Sequence, residues 1–538
     1  MMRRMRSVYV LVMFVVIGVG ILFALSAIQR RMNHIREEEE LTKTKVLENA
    51  PPMVAFTTVA LGAFRGLVAD WLWLRSRKMK QEGKYFEMVQ LGSWIVKLQP
   101  EFVDVAAYLA WNMSYNVSVN FTDPEARWRW VQRGIELLRD EALVYNPGES
   151  RLYHELGWIY QHKIGLTMDN AHRYYKLQLA RKITKVVGDY PPDWEALAAE
   201  PRTKKAFRNN IERPETLKKL LQERDLNLEK LEKKFRKDGA FSNQLAQSLK
   251  NEGYKEPLER FYRSRWLRQV YRLKPELIAE INSKYGRLDW RLPQAHAVYW
   301  ATRGREVADK EEVSTKWARM IYQSLQQAFR KGRLVSAESL EYFQTTPNIR
   351  IVDAINRAHL ETEEKYGEQI VRGGYKNFVI DAVVILYSFG AEEKAKEYLE
   401  KGRKEWPDTE SFKRPLRRFV LEELVKDIEG RQSQASAAVQ SYLVQSCQAL
   451  AYGDLERASA LEDLAEGIWE KWKRSRAAGE SAERRMRLPP YKRMKRMAVQ
   501  LAMERFAPPL KKRLRKAIPE FENFEFAEDE APVSGDTR

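Results

Sequence analysis

Residues 150–175 read SRLYHELGWIYQHKIGLTMDNAHRYY, and this stretch decides the fold. Its first half carries four residues at the three- and four-residue spacing of one α-helical face: Tyr153, Leu156, Gly157 and Tyr160. Ala171 and Tyr175 follow on a second helix. Small residues let two helices approach closely, while aromatic rings fill the gaps between successive pairs. The pattern predicts a helical hairpin that must stack on neighbours to bury its apolar face.

Composition extends this helical prediction to most of the chain. Of the 538 residues 44% are hydrophobic, and only 26 are Gly and 21 are Pro. Long runs rich in Ala, Leu, Glu, Lys and Arg favour helices, and no convincing series of alternating β-branched segments is present. We therefore predict an all-α protein. The single cysteine, Cys447, excludes an intrachain disulfide framework and a metal site built from several cysteines.

Residues 8–28 (VYVLVMFVVIGVGILFALSAI) form a run of 21 residues without a charged side chain. At about 1.5 Å per residue, a helix of this length spans about 31 Å, close to the hydrocarbon thickness of a bilayer. The run is longer than the apolar core of most cleavable signal peptides, although residues 24–26 resemble a cleavage site. We expect an uncleaved transmembrane anchor, with a signal peptide as the alternative.

Basic residues flank this segment on both sides, so charge alone does not determine its orientation. A short N-terminal tail before a large body is typical of an anchor whose N-terminus is cytoplasmic. We therefore expect a single-pass membrane protein whose body lies outside the cytoplasm, in the periplasm if the cell is a Gram-negative bacterium.

A second apolar stretch, residues 53–74, contains Arg65 and Asp70. Each charge would cost a few kcal/mol near the centre of a bilayer. A buried or membrane-surface helix is therefore expected here. If the stretch spans the membrane instead, the body returns to the cytoplasm.

Further hairpin patterns occur on both sides of residues 150–175. They lie at 69–100, 103–147, 294–329, 390–407 and 442–465. The order Tyr-x-x-Leu-Gly-x-x-Tyr followed by Ala-x-x-x-Tyr resembles the tetratricopeptide repeat (TPR) family, and the chain is similar to bacterial membrane-anchored members. The resemblance implies hairpins of about 34 residues that stack into a superhelix with a concave binding surface.

The repeats are interrupted by a segment rich in Lys, Arg and Glu, in which residues 214–235 are predicted to form one amphipathic helix. The expected organisation is a cytoplasmic tail (1–7), a transmembrane helix (8–28), a charged connector (29–52), a first TPR-like block (53–188), a charged helical insertion (189–292), a second TPR-like block (293–470), a basic helical tail (471–517) and a disordered acidic C-terminus (518–538).

Much of the formal net charge of +19 lies in the basic tail, where residues 471–516 contain 17 Lys and Arg against three Glu. Contact with an anionic membrane surface or envelope polymer would suit a protein tethered nearby. A solubilising helix that caps the repeats is the other main alternative. Nucleic-acid binding is less favoured because no stacking motif or recognition fold accompanies the charge.

In TPR hairpins, the second, fifth, ninth and twelfth residues of the first helix line the concave face. The resemblance implies that the groove residues are Asp70, Trp73, Arg77, Lys80, Asp104, Ala107, Trp111, Ser114, Arg151, His154, Trp158 and Gln161. Arg77, Lys80 and Arg151 are candidates for clamping a peptide carboxylate. The three tryptophans would add apolar contact area. Alternatively, the tryptophans belong to the core between repeats and the basic residues to a solvated face.

Sequence motifs typical of enzymes are absent, including phosphate-binding loops, dinucleotide fingerprints, nucleophile elbows and HExxH. His154, His162 and His172 lie close in sequence but without a carboxylate pattern that would predict a metal site. Cys447 is expected to be a structural thiol. We therefore expect no catalytic residues, no metal and no cofactor.

Together these features predict a membrane-tethered TPR-like scaffold that mediates protein–protein interactions in an envelope assembly. Its partner would be a protein or peptide. The alternative is an accessory subunit of a membrane enzyme or transporter. In that case the membrane-proximal helix 53–74 would present Arg65 and Asp70 to a substrate or membrane partner.

Overall fold

A computed structural model describes residues 20, 26–28, 30–31, 64–99, 102–308, 315–335, 345–426, 432–477 and 488–518. Within these residues the protein is all-α apart from one short ribbon, which confirms the predicted class. The ribbon pairs β1 (Arg333–Leu334) with β2 (Thr345–Thr346) in antiparallel register.

The helices of the first half are α1 (Phe64–Gln81), α2 (Tyr85–Leu98), α3 (Val103–Trp111), α4 (Pro124–Glu136), α5 (Leu143–Tyr145), α6 (Ser150–Trp158), α7 (His172–Val187), α8 (Trp194–Ala199), α9 (Lys204–Asn210), α10 (Pro214–Gln222), α11 (Leu228–Asp238), α12 (Asn243–Asn251), α13 (Lys255–Val270) and α14 (Pro275–Tyr285). Those of the second half are α15 (Pro293–Val307), α16 (Thr315–Lys331), α17 (Val352–Tyr366), α18 (Glu368–Ser388), α19 (Glu392–Glu405), α20 (Leu416–Lys426), α21 (Gln432–Tyr452), α22 (Leu455–Ala477), α23 (Tyr491–Arg505) and α24 (Pro508–Ala517).

The predicted membrane anchor falls almost entirely outside the described residues. Of residues 8–28, only Gly20 and 26–28 are described, and of the connector only Arg30 and Arg31. Residues 53–63 of the second apolar stretch and 519–538 of the acidic C-terminus also lie outside. Among the helices that the structure does describe, none combines the length and the apolar character needed to cross a membrane.

The chain forms two compact units. One comprises Met1–Phe102 with Val144–Asn146, and the other comprises Val103–Leu143 with Pro147–Arg538. In the first unit, α1 and α2 form a hairpin across a turn at Gly83, whose φ of 71° suits glycine. The buried face of α1 includes Ser76, the small residue expected in this hairpin. Its opposite face leaves four large apolar side chains exposed: Phe64, Leu67, Trp71 and Leu74.

Three helices at the start of the second unit widen into π turns. Asn112–Val117 continues α3, Leu137–Ala142 continues α4, and Ile159–Ile164 continues α6. A π turn holds more residues than an α turn, so side chains beyond it rotate relative to the regular helical register. The first two helices pack closely at Gly134, where a Cβ atom would lie 2.7 Å from the backbone oxygen of Ala110.

The partner that lies along α6 comes from far downstream. α15 packs against α6 and its π turn, although the intervening chain contains all of α7 to α14. A Cβ atom at Gly157 would lie 2.7 Å from Met320 Sδ and 3.6 Å from the backbone oxygen of Ala297. Most side chains of α15 are buried, as expected for a helix covered on several faces. The insertion is therefore a branch from which the chain returns to the stack.

Within the insertion, the predicted single helix at 214–235 is wrong. This segment is instead divided into two helices, α10 and α11, by a turn at Asp225, whose φ is 50°. Asn227 caps α11 by accepting hydrogen bonds from the amides of Glu229 (2.9 Å) and Lys230 (2.8 Å). The predicted apolar face survives in part, because Leu217, Leu221, Leu231 and Phe235 are all buried. The Asn cap explains the break, because it starts a new helix.

The described part of the basic tail packs on α21. Met494, Ala498 and Ala502 of α23 and Leu514 of α24 are buried against this helix. Cys447 belongs to the same core, and burial raises the pKa of its thiol to about 11, as suits an unreactive structural cysteine.

Replacing Gly134 by Val should destabilise the second unit by about 2 kcal/mol, because the new side chain would overlap the Ala110 carbonyl. Gly148→Val is the matched control, since a Cβ atom there meets nothing within 4 Å. The thermal unfolding midpoints of both full-length variants in detergent measure the difference. Equal midpoints would contradict the close approach of α3 and α4.

Candidate functional site

A cleft of about 380 Å³ lies between α3 and α6 in the second unit. Its lining residues are Ala107, Tyr108, Trp111, Arg151, His154, Glu155 and Trp158. These positions recur at three- and four-residue spacing on each helix, so that each helix contributes one face to the cleft. The volume is within the range of pockets that bind small ligands or a few side chains of a peptide.

Two aromatic columns form the walls. On the α3 side, Trp111 stacks on Tyr115 with ring centroids 5.9 Å apart. On the α6 side, Trp158 stacks on His162 at 4.6 Å and on His154 at 6.5 Å. The columns meet where Tyr115 and His162 approach to 5.8 Å, and the Tyr115 hydroxyl lies 3.3 Å from His162 Nδ1. The walls therefore converge at the inner end and separate towards solvent.

The charged residues of the cleft are unequally paired. Arg151 forms an ion pair with Asp104 of α3, and both side chains are more than half exposed. The Glu155 carboxylate lies 3.8 Å from His154 Nδ1, which is beyond ordinary hydrogen-bond distance and is an ion pair only when the imidazole is protonated. Among the residues that the structure describes, Arg151 is thus compensated by Asp104, whereas Glu155 forms no ion pair with a lysine or arginine.

A buried ionic network supports the cleft from behind. Asp169 accepts hydrogen bonds from Lys163 Nζ (2.6 Å), Arg127 Nη1 (2.9 Å), the Ala171 amide (2.8 Å) and the Tyr175 hydroxyl (3.0 Å). Burial opposes ionisation of this carboxyl group, but the hydrogen bonds outweigh it and lower the pKa to about 2. The network joins α4, α7 and the helical turn after α6.

The same network reaches the aromatic column through Lys163. Its ammonium lies over the Tyr115 ring, 5.5 Å from the centroid, and over the Tyr175 ring at 5.9 Å. The inner end of the cleft is therefore built around an ammonium held between aromatic rings and a carboxylate.

The structure brings one group of predicted groove residues together. Ala107, Trp111, Arg151, His154 and Trp158 line the cleft, and Asp104 pairs with Arg151 at its edge. Trp73, Arg77, Lys80 and Asp70 lie on α1, in the first unit. Arg65 also lies on α1, but its side chain is outside the described part.

Ser114 and Gln161, the predicted groove residues at the twelfth position of their helices, do not line the cleft. Gln161 is buried and donates hydrogen bonds to Met320 O (3.0 Å) and Ser324 Oγ (2.9 Å). Ser114 is buried at the approach of Gly134. Both residues lie inside π turns, which rotate them away from the regular register.

Tyr108 and Glu155 line the cleft but were not predicted. Each follows a predicted groove residue, and so projects about 100° further around its helix. The sequence contained a usable signal, because Tyr108 lies three residues before Trp111 and Glu155 lies four residues after Arg151.

The histidines of this region take structural positions. His154 and His162 stack on Trp158, while His172 Nδ1 lies 3.0 Å from Lys176 Nζ. Burial, followed by the nearby Lys163 charge, lowers the pKa of His162. Among the described residues, no three His, Cys, Asp or Glu side chains are grouped for metal binding.

Asp169→Asn should lower the free energy of unfolding by about 3 kcal/mol, because Lys163 would stay buried without its carboxylate. The Asp169 carboxylate makes its full contribution to the free energy of unfolding at pH values above its ordinary pKa of 3.8. This contribution is lost as the pH falls towards about 2. Denaturant unfolding across this range should therefore show the gap between wild type and variant narrowing with acid. Asp408→Asn, at an exposed site, is the control. A gap independent of pH would contradict the assignment.

Comparison with known proteins gives no assignment. No protein-family model matches the chain, and no curated protein is significantly similar to it.

Proposed function

We propose that the protein is a membrane-tethered scaffold of helical hairpins that binds a protein or peptide in the cleft between α3 and α6. The observation that supports it is the shared lining: Trp111, Arg151, His154 and Trp158 converge from two successive first helices. These are the positions at which a TPR-like groove would contact a peptide. The proposal covers the binding mode and leaves the partner to be identified.

The composition of the cleft suits protein recognition. Trp, Tyr and Arg are the residues most enriched where a few side chains provide most of an interface's binding energy. Trp111 is 38% exposed and Tyr108 is 41% exposed, so both rings offer apolar area to a partner. The rings are held by stacking and by the helices behind them, which limits the entropy lost on binding.

The proposal assigns binding and no catalysis to this cleft. Its titratable lining residues are Tyr108, Arg151, His154 and Glu155, and Arg151 is already engaged by Asp104. A catalytic nucleophile would need an adjacent base within hydrogen-bond reach. The aromatic lining instead favours recognition of a side chain.

Two features, one of the sequence and one of the structure, support the membrane tether. One is the uncharged run at 8–28, whose length suits a bilayer. The other is the exposed apolar face of α1 in the first unit, where the Arg75 guanidinium lies 5.5 Å from the Trp71 ring centroid. Arginine and tryptophan are common at the membrane–water interface. A tether would raise the local concentration of the scaffold around a partner in the same envelope.

Photocrosslinking tests the binding site. A benzoylphenylalanine at position 111 of the full-length chain, expressed in its source cells, should form discrete adducts with a protein partner. Benzoylphenylalanine in place of Tyr452, which is 47% exposed, is the matched control and should give few adducts. Trp158→Ala in the position-111 background should reduce the adducts, because it removes the facing wall. Equal crosslinking at both positions would sink the proposal.

Topology is tested separately with reporter fusions at the C-terminus. The proposed body lies outside the cytoplasm, so an alkaline phosphatase fused to the C-terminus should be active. A fluorescent protein fused at the same place should be dark, because it would be exported unfolded through the general secretion pathway. The opposite pattern would place the body in the cytoplasm. A fusion lacking residues 1–28 provides the control for the role of the apolar run.

A further inference from the structure

We infer that the cleft selects a cationic side chain, a lysine or arginine of the peptide partner, and not a peptide carboxylate. This inference rests on the proposed function, because it names the ligand chemistry of the same cleft. It replaces the carboxylate clamp that the basic residues of the sequence suggested.

Arg151 is already paired within the protein. This is the only cationic side chain among the described residues that line the cleft, and it is bonded to Asp104. An entering carboxylate would have to displace Asp104 or share the guanidinium with it. Displacement breaks the existing ion pair, and sharing brings the like charges of two carboxylates close together, so both cost binding energy.

The lining also contains one carboxylate, that of Glu155. Its side chain is 24% exposed and faces the cleft, 3.8 Å from His154 Nδ1. The Lys163 ammonium behind the lining is bonded to Asp169. Among the described lining residues, Arg151 is offset by Asp104, whereas Glu155 is a carboxylate that forms no ion pair with a lysine or arginine. The cleft therefore attracts a cation.

The inner and outer ends of the cleft contain the same kinds of chemical group. At the inner end, Lys163 lies between the Tyr115 ring and the Asp169 carboxylate. The outer part of the cleft is lined by the same kinds of group, the rings of Trp111 and Trp158 and the carboxylate of Glu155. Aromatic faces attract ammonium and guanidinium groups, and indole does so most strongly. The protein thus uses at its inner end the chemistry that the outer end offers to a ligand.

A library of amidated nonapeptides tests the preference. The central residue is fixed as Arg, Lys, Leu or Glu and the other positions are randomised; a second Leu pool carries a free C-terminal carboxylate. Full-length protein in detergent is incubated with each pool, and the retained peptide is quantified. The Arg and Lys pools should be retained about fivefold better than the Leu pool.

Three variants separate the possible causes. Glu155→Gln keeps the shape and should abolish the preference for Arg and Lys over Leu. Arg151→Gln should leave the preference for Arg and Lys unchanged or increase it. If the cleft were a carboxylate clamp, this variant would instead lose its retention of carboxylate peptides. Trp158→Ala should weaken retention of all pools. Thermal unfolding midpoints identify any variant that fails to fold, and Trp158→Phe replaces Trp158→Ala in that case.

The outcomes distinguish this inference from the function on which it rests. If the wild-type protein retains the Glu pool or the free-carboxylate pool and the Arg151→Gln variant does not, the cationic preference is overturned. Peptide binding in the cleft would still stand. The same holds if all pools bind equally and Trp158→Ala weakens them equally. If no pool is retained in a way that depends on Trp158, the proposed function itself fails.

Discussion

The second unit depends on the close packing of α15 against α6. Gly157 lies at this contact, where an added Cβ atom would be 3.6 Å from the Ala297 carbonyl oxygen of α15 and 2.7 Å from Met320 Sδ of α16. Between the two helices the chain first forms α7, which packs against α4, and then the insertion of residues 189–292, before α15 begins at Pro293. Without this contact α6 would expose its apolar face, and the helical stack would be divided in two.

This packing also positions the cleft. On one side, Gln161 is bonded to α16 and the His154 ring meets the edge of Trp317, with centroids 5.6 Å apart. On the other side, the Asp169 network holds the turn after α6, while α3 is fixed by its approach to Gly134. The aromatic walls thus rest on helices that are held from behind. Such support preserves the geometry of a binding site before the ligand arrives.

The pairing of Arg151 with Asp104 changes what the cleft can recognise. Both residues are groove positions by sequence, yet as separate residues they suggest opposite ligands. Once paired, they offset each other, and Glu155 remains as the lining carboxylate in a cleft that also contains Trp111 and Trp158. The chemistry of a recognition site depends on which charges remain after the protein has satisfied its own pairs.

The sequence by itself determined the all-α class, and its helical spacing placed Trp111, Arg151, His154 and Trp158, which line the cleft, among the predicted groove residues. Helical periodicity is local, so it shows which face of a helix a residue occupies. Only the tertiary structure decided that α15 lies along α6, that π turns withdraw Ser114 and Gln161, and that Arg151 is already paired. The physical reason is that these features depend on contacts between residues far apart in the chain, which no local spacing records.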